Sequence, residues 1–227
     1  MSMLRQYIDH SRPVLRPEEP VVRALEILEE AGRTAAPVVG GQHLLAVVRT
    51  GDLRQVLMDA GDGETVPVGE VDSPAVAFLR EDAHLLDAVR EMVGSGMDFM
   101  PVLSLDDRYV GTAELRSLLK DVCRLYHLEP DEATVELEVP AIGIRVSEIV
   151  HALEKNDATV LSFGVQTPEP DAEGMLITFR VSTTDLYRLV KNLENYGYLV
   201  VYHTPFSAEG GDELRDKALE FMRYIDM

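Results

Sequence analysis

The sequence predicts a mixed α/β (α+β) protein: one small α/β unit written twice, then a different βαββαβ unit, then a terminal helix. Three observations predict it. Residues 16–39 (RPEEPVVRALEILEEAGRTAAPVV) align without a gap with residues 80–103 (REDAHLLDAVREMVGSGMDFMPVL), an offset of 64 that pairs Arg16 with Arg80, Ala24 with Ala88, Gly32 with Gly96 and Pro37 with Pro101. One extra residue in the next loop raises the offset to 65, so that LLAVVRTGDL (44–53) overlays YVGTAELRSL (109–118). Near residue 132 the pattern changes to cleanly alternating strands and two new amphipathic helices. A repeat at fixed spacing specifies a pseudo-symmetric body with a cleft between its copies; it fixes the architecture and not the ligand.

In the first copy (1–64), Val21, Ala24, Leu25 and Leu28 fall at helical spacing, with Pro20 suited to the first turn and Gly32 to the stop. AAPVV and LLAVV, separated by the polar turn GGQH, read as two strands, and Thr50 or Asp52 opens a helix carrying Leu53, Val56 and Leu57. The second copy (65–128) repeats this. Leu85, Ala88, Val89 and Met92 share one face, Gly96 is the stop, FMPVL and YVGT are strands around SLDDR, and a helix runs through Leu118 and Leu119. The stretch DAGDGE (59–64) is the junction between the copies.

The third unit (132–206) begins with TVELEVP, in which Val135, Leu137 and Val139 face one side and Glu136 and Glu138 the other, a strand covered on one face only. Val146, Ile149, Val150 and Leu153 form a helical stripe, TVLSFGVQT (159–167) a strand, PEPDAEG (168–174) a loop and MLITFRV (175–181) a strand. Leu186, Leu189, Val190 and Leu193 repeat the helical spacing, and YLVVYHT (198–204) closes a ferredoxin-like order with two helices on one sheet face. Residues 210–227 are expected to form an amphipathic helix that docks on its own chain or on a partner subunit, a frayed tail being the other reading.

Composition narrows the function. At 46% hydrophobic and 27% charged, the 227 residues can pack ordinary cores. The net charge of −19, with no Lys/Arg-rich run, argues against nucleic-acid and membrane surfaces as partners. No apolar run is long enough to cross a bilayer, and MSMLRQYIDHSR shows no secretory signal. The single cysteine, Cys123, excludes an intramolecular disulfide and fits a reducing cytoplasm; its apolar neighbours Leu118, Leu119 and Val122 predict a buried structural thiol.

The repeated segments AAPVVGGQHLLAVVRTGDL (35–53) and FMPVLSLDDRYVGTAELRSL (99–118) resemble the cystathionine-β-synthase-type (CBS) domain, which occurs in tandem pairs. The unit 134–204 resembles an ACT domain by its element order, and the succession of both resembles bacterial CBS–ACT proteins of the acetoin-utilisation type. The resemblance implies a regulatory module that takes an adenosine ligand such as AMP or ATP in the clefts between copies. The family motif, Gly-h-h-Thr/Ser-x-x-Asp with h apolar, offers a hydroxyl and a helix N-terminus to phosphate and a carboxylate to the ribose hydroxyls.

Carried onto this chain, the motif gives Ala46-Val47-Val48-Arg49-Thr50-Gly51-Asp52 in the first copy. Asp52 stands at the ribose position, Arg49 at the hydroxyl position and Thr50 one step late; an arginine there can also serve a phosphate. An ordinary helix N-terminal acid is the other reading of Asp52. The second copy gives Gly111-Thr112-Ala113-Glu114-Leu115-Arg116-Ser117, with Glu114 at the phosphate position, where it would repel an anion, and Ser117 in place of the carboxylate. The base-contacting walls are then the segments before each Pro-Val pair, Thr34, Ala35 and Ala36 in the first copy and Asp98, Phe99 and Met100 in the second, where Phe99 and Met100 fill their own cleft; Pro37 and Pro101 adjoin them as site residues. In ACT domains the ligand turn follows the first strand, here Ala141, Ile142 and Gly143, but the usual acid is missing, and a plain turn glycine is the simpler reading.

No catalytic constellation is present in the sequence. The six histidines (10, 43, 84, 127, 151 and 203) show no zinc spacing, no phosphate-binding glycine loop occurs, and Gly94-Ser95-Gly96 lacks the spacing of a nucleophile elbow. The expectation is a non-enzymatic sensor with a small-molecule ligand, a regulated protein as partner, no metal, and a homodimeric state. The alternatives are a dimeric interaction module with degenerate nucleotide pockets and amino-acid sensing through the ACT-like unit.

Overall fold

The computed structural model describes residues 3–60, 65–74, 76–128, 130–140, 145–166 and 174–205. Of the expected junction 59–64, Asp59 and Ala60 are helical and 61–64 lie outside these residues, as do the turn at 141–143 and the expected helix at 210–227. The chain divides into two compact units, Met1–Val122 and Cys123–Met227.

In the first unit, α1 (Val21–Glu30) leads to the hairpin β1 (Ala35–Gly40) and β2 (His43–Arg49), then α2 (Thr50–Ala60). The short β3 (Leu79–Arg80), α3 (Leu85–Ser95), β4 (Phe99–Leu103), β5 (Tyr109–Glu114) and α4 (Leu115–Leu125) follow. Both predicted glycine stops adopt the left-handed conformation, Gly32 at φ 61° and Gly96 at φ 65°.

The repeat holds to the residue. Ala35 pairs with Arg49 as Phe99 pairs with Glu114, and each hairpin breaks register at the same place, between Val38 and Val39 and between Val102 and Leu103. Leu15 bridges Val38 in parallel as Leu79 does Val102. Buried residues correspond one for one: Val21 and Leu85, Ala24 and Ala88, Leu28 and Met92, Ala36 and Met100, Val48 and Ala113, Leu53 and Leu118.

The repeat also reaches further towards the N-terminus than sequence similarity does. A 3-10 turn at Leu4–Tyr7 matches one at Val68–Glu70, again 64 residues on. The two segments are exchanged. Leu4, Tyr7 and Ile8 pack into the core of the second copy, while Val66, Val68 and Val71 pack into that of the first. The hydrogen bonds are equally reciprocal: Leu4 N–H donates to Ala83 O and Arg5 N–H to Glu81 O, as Val68 N–H does to Glu19 O and Gly69 N–H to Pro17 O. Each copy is therefore completed by the segment that precedes the other.

Cys123 differs from expectation: its thiol is free and exposed. It lies four residues after Leu119, itself 40% exposed, so both sit off the face that buries Leu118. Of the apolar neighbours in sequence, Leu118 and Val122 face the core from another side of the helix, and Leu119 shares the exposed side with Cys123.

The second unit comprises β6 (Ala133–Pro140), α5 (Val146–Glu154), β7 (Thr159–Gln166), β8 (Gly174–Ser182), α6 (Leu186–Asn195) and β9 (Leu199–His203). Its antiparallel sheet has the order β7-β8-β6-β9, the ferredoxin-like arrangement. Val135, Leu137, Val139, Ile177, Phe179 and Val181 bury one sheet face against Ile149 and Leu153 of α5 and Leu189 and Leu193 of α6. Buried Asn156 ties the helices together, donating to Ala152 O at 2.7 Å and accepting from Asn192 Nδ2 at 2.6 Å. On the opposite face Arg180 Nε donates to His127 O at 2.7 Å and holds the preceding segment against the sheet.

Candidate functional site

The cleft between the copies of the first unit is an open groove of about 880 Å3, within the range of small-molecule sites, roughly 300–1,000 Å3. The first copy supplies the loop Gly32–Ala35, Val47 and Arg49 at the end of β2, and the first turn of α2 with Thr50, Gly51 and Asp52. The second copy supplies Gly96–Phe99, Glu114 at the end of β5, and Leu115, Arg116 and Leu119 of α4. Arg12, from the exchanged N-terminal segment, completes the lining.

The structure brings Thr34, Ala35, Arg49, Thr50, Asp52, Phe99 and Glu114 to this one groove. Ala36 and Met100 are fully buried in the two cores, because strand alternation turns them away from their neighbours Ala35 and Phe99. Pro37 and Pro101 are buried in their strands, and neither they nor Ser117, exposed on α4, belong to the groove lining. Asp52 serves as a helix N-terminal acid, its Oδ2 accepting from Arg49 N–H at 3.3 Å, and it also faces the groove. The two sequence readings of Asp52 are thus compatible. Thr50 N–H donates to Thr34 O at 2.9 Å, which fixes the start of α2 to the groove wall.

Glu114 is not a bare negative charge. Its Oε1 lies 2.9 Å from Arg12 Nη2 and 3.0 Å from Arg33 Nη1. Arg12 is itself buried: Nη1 donates to Ala35 O at 3.0 Å, and its Cζ lies 3.7 Å from the centroid of the Phe99 ring, a cation–π stack. Arg49 and Arg116 make no ion pair among the described residues. The groove thus gathers four arginines against three carboxylates, Asp52, Asp98 and Glu114, in a chain where Asp and Glu outnumber Lys and Arg by 40 to 21.

Beside Arg12, hydrogen bonding from Ser11 holds the Asp9 carboxyl below its usual range, with Arg33 and Arg12 adding to the effect against the opposing cost of burial. Burial pushes the Tyr109 phenol up to about 12, so it is neutral at physiological pH.

Sequence reasoning missed Arg12 and Arg33 as groove residues. Arg33 adjoins Thr34 in the α1–β1 loop and was within reach of the repeat. Arg12 lies outside the aligned segments, and only the exchange of the N-terminal segment carries it into the cleft.

Two like-folded copies around a ligand-sized, arginine-bearing groove define a duplicated α/β module. Residues 4–59 and 68–123 each match the CBS domain family, so the first unit is a tandem pair of CBS domains. Such pairs are generally regulatory modules rather than catalysts. Among solved structures, the chain is similar to the CBS-pair protein CBSX2 from Arabidopsis thaliana, at 22% identity over 55% of this chain and 96% of that one, TM-score 0.47. A structure of CBSX2 in complex with AMP matches at 21% identity over 55% and 98% of the chains, TM-score 0.47. A CBS domain pair/ACT domain protein from Thermotoga maritima matches at 17% identity over 54% and 97%, TM-score 0.47. No curated protein matches the chain. Among the described residues no group of three or more His, Cys, Asp or Glu could hold a metal ion, and no helix is long and apolar enough to cross a membrane.

Proposed function

We propose that the chain is a non-catalytic regulatory protein whose CBS pair binds an adenosine nucleotide or a closely related anionic metabolite. The observation that carries this reading is the groove's charge: arginines concentrated in one cleft of a strongly acidic chain, with Asp52 at the ribose position. Thr34 and the small Ala35 leave room for a flat ring, Arg49 and the first turn of α2 receive the phosphate, and Asp52 accepts from the ribose hydroxyls. Ligand binding biases the packing of the two copies, and a partner protein reads that bias. The second unit, by its βαββαβ order, is an ACT-like module. The working state is a cytoplasmic homodimer.

Isothermal titration with AMP, ATP and S-adenosylmethionine tests the reading. At least one binds, and Asp52→Ala weakens it by about 1.5–3 kcal/mol, the scale of charge-assisted hydrogen bonds. Heat signals absent for all three ligands would remove the sensor assignment.

A further inference from the structure

The two halves of the groove are not equivalent, although the backbone repeats. At the Phe99 half the chain supplies its own flat cation and its own carboxylate. The Arg12 guanidinium stacks on the Phe99 ring at 3.7 Å. It binds Glu114 at 2.9 Å and reaches back to Ala35 O at 3.0 Å. Arg33 holds the same Glu114 oxygen from the other side at 3.0 Å.

The repeat shows what is missing from the other half. With the 64-residue offset, Arg12 corresponds to Val76, and Phe99 to Ala35; with the 65-residue offset, Glu114 corresponds to Arg49. The neighbouring contacts confirm this correspondence: Asp9 bridges Thr112, while Ser73 donates to Val47 O at 2.9 Å. Valine can neither stack as a planar cation nor pair with a charge, alanine offers no ring, and Arg49 makes no ion pair among the described residues. One half of the groove is closed by three side chains acting together; its counterpart has a substitution at each of the three positions.

Arg12 does not satisfy all of its own donors. Its Nε–H is buried and has no hydrogen-bond partner among the described residues, an arrangement that costs folding free energy.

We infer that Arg12, stacked on Phe99 and paired with Glu114, is a built-in plug, so that each chain takes one nucleotide, in the Ala35–Arg49–Asp52 half, and not two. This inference rests on the nucleotide reading above and determines its stoichiometry and position. A planar guanidinium against an aromatic ring occupies the face on which a purine would stack, and a carboxylate held by two arginines occupies the anion position beside it. Both are needed: the stack excludes the base, and the carboxylate satisfies the arginines that a phosphate would otherwise engage.

The test is the AMP stoichiometry of the full-length protein by isothermal titration, for wild type and Arg12→Val, the residue present at the equivalent position. Glu114 keeps Arg33 in this variant, so no buried carboxylate is stranded. Wild type takes one AMP per chain. Arg12→Val takes two, the second more weakly because Glu114 stays at the anion position, neutralised by Arg33 alone, and Ser117 stands where the first half has Asp52. Arg12→Lys, which keeps the charge and loses the planar stack, serves if the valine variant does not fold, and also gains a second event. Two AMP per wild-type chain, or one in the wild type and still only one in a folded variant, would overturn the plug. If wild type binds no AMP while a folded Arg12 variant binds one, the plug stands and the reading of the Asp52 half falls. If neither binds, both fall.

Discussion

Gly111 shows how a single position can differ between two copies of one fold. Its counterpart in the first copy is Ala46, yet Gly111 has φ 150°, and a Cβ there would collide with the Ile8 side chain and sit 2.9 Å from Asp9 O. The crowding comes from the exchanged N-terminal segment, where Asp9 N–H donates to Thr112 O at 2.7 Å and Thr112 N–H returns a bond to Asp9 O at 3.0 Å. Glycine lets the two backbones approach and adopts the conformation without strain. Gly111→Ala therefore destabilises the protein by about 2–3 kcal/mol, combining a strained φ with overpacking against backbone. The reverse change at the counterpart, Ala46→Gly, costs about 1 kcal/mol, the entropic penalty together with the loss of one half-buried methyl. Urea unfolding of the two variants distinguishes them; equal losses would mean that the exchanged segment does not press on β5.

At the scale of elements, the sequence carried whatever has a period. Apolar stripes placed α1 and α3, the two glycines placed their ends, and the alternation of Val135, Leu137 and Val139 with Glu136 and Glu138 placed β6 and told its covered face from its open one. The exchange of the segments before each copy was not legible, because residues 3–8 and 67–72 share no identical residue at the 64-residue offset. What they share is a shape, a 3-10 turn carrying one fully buried side chain, Leu4 or Val68. Half of the site was legible for the same reason. Asp52, Arg49, Phe99 and Glu114 fall on repeat positions, whereas Arg12 reaches the cleft only through the exchange. The packing predicts that Leu4, distant in sequence from the core it completes, behaves as a core residue of the second copy. Leu4→Ala should cost about 2–4 kcal/mol in urea unfolding, the range for a buried large-to-small change. A loss below about 0.5 kcal/mol, as for an ordinary surface site, would show that the N-terminal segment frays without consequence.

For the whole molecule, the decisive fact is that the core of the second unit shares no residue with either core of the CBS pair. The groove belongs entirely to the first unit. A ligand that binds only the folded form stabilises what it binds, by about 2.7 kcal/mol at a hundred times its dissociation constant. If the two units open independently, that gain is confined to the CBS pair. Hydrogen exchange in the presence of saturating AMP should then raise protection in β1, β2, β4 and β5 while leaving β6 and β8 unchanged. The one covalent element common to both units is α4, which begins at Leu115 beside the groove and ends at Leu125 past the boundary. Cys123, exposed on its last turns, gives a second readout at that junction. Its rate of labelling by a thiol reagent should change on AMP binding if α4 passes the ligand signal onward, and stay constant if the signal ends within the pair. Equal protection gains in β6 and in β1 would instead mean that the two units unfold as one cooperative body, and the separateness of their cores would then have no thermodynamic expression.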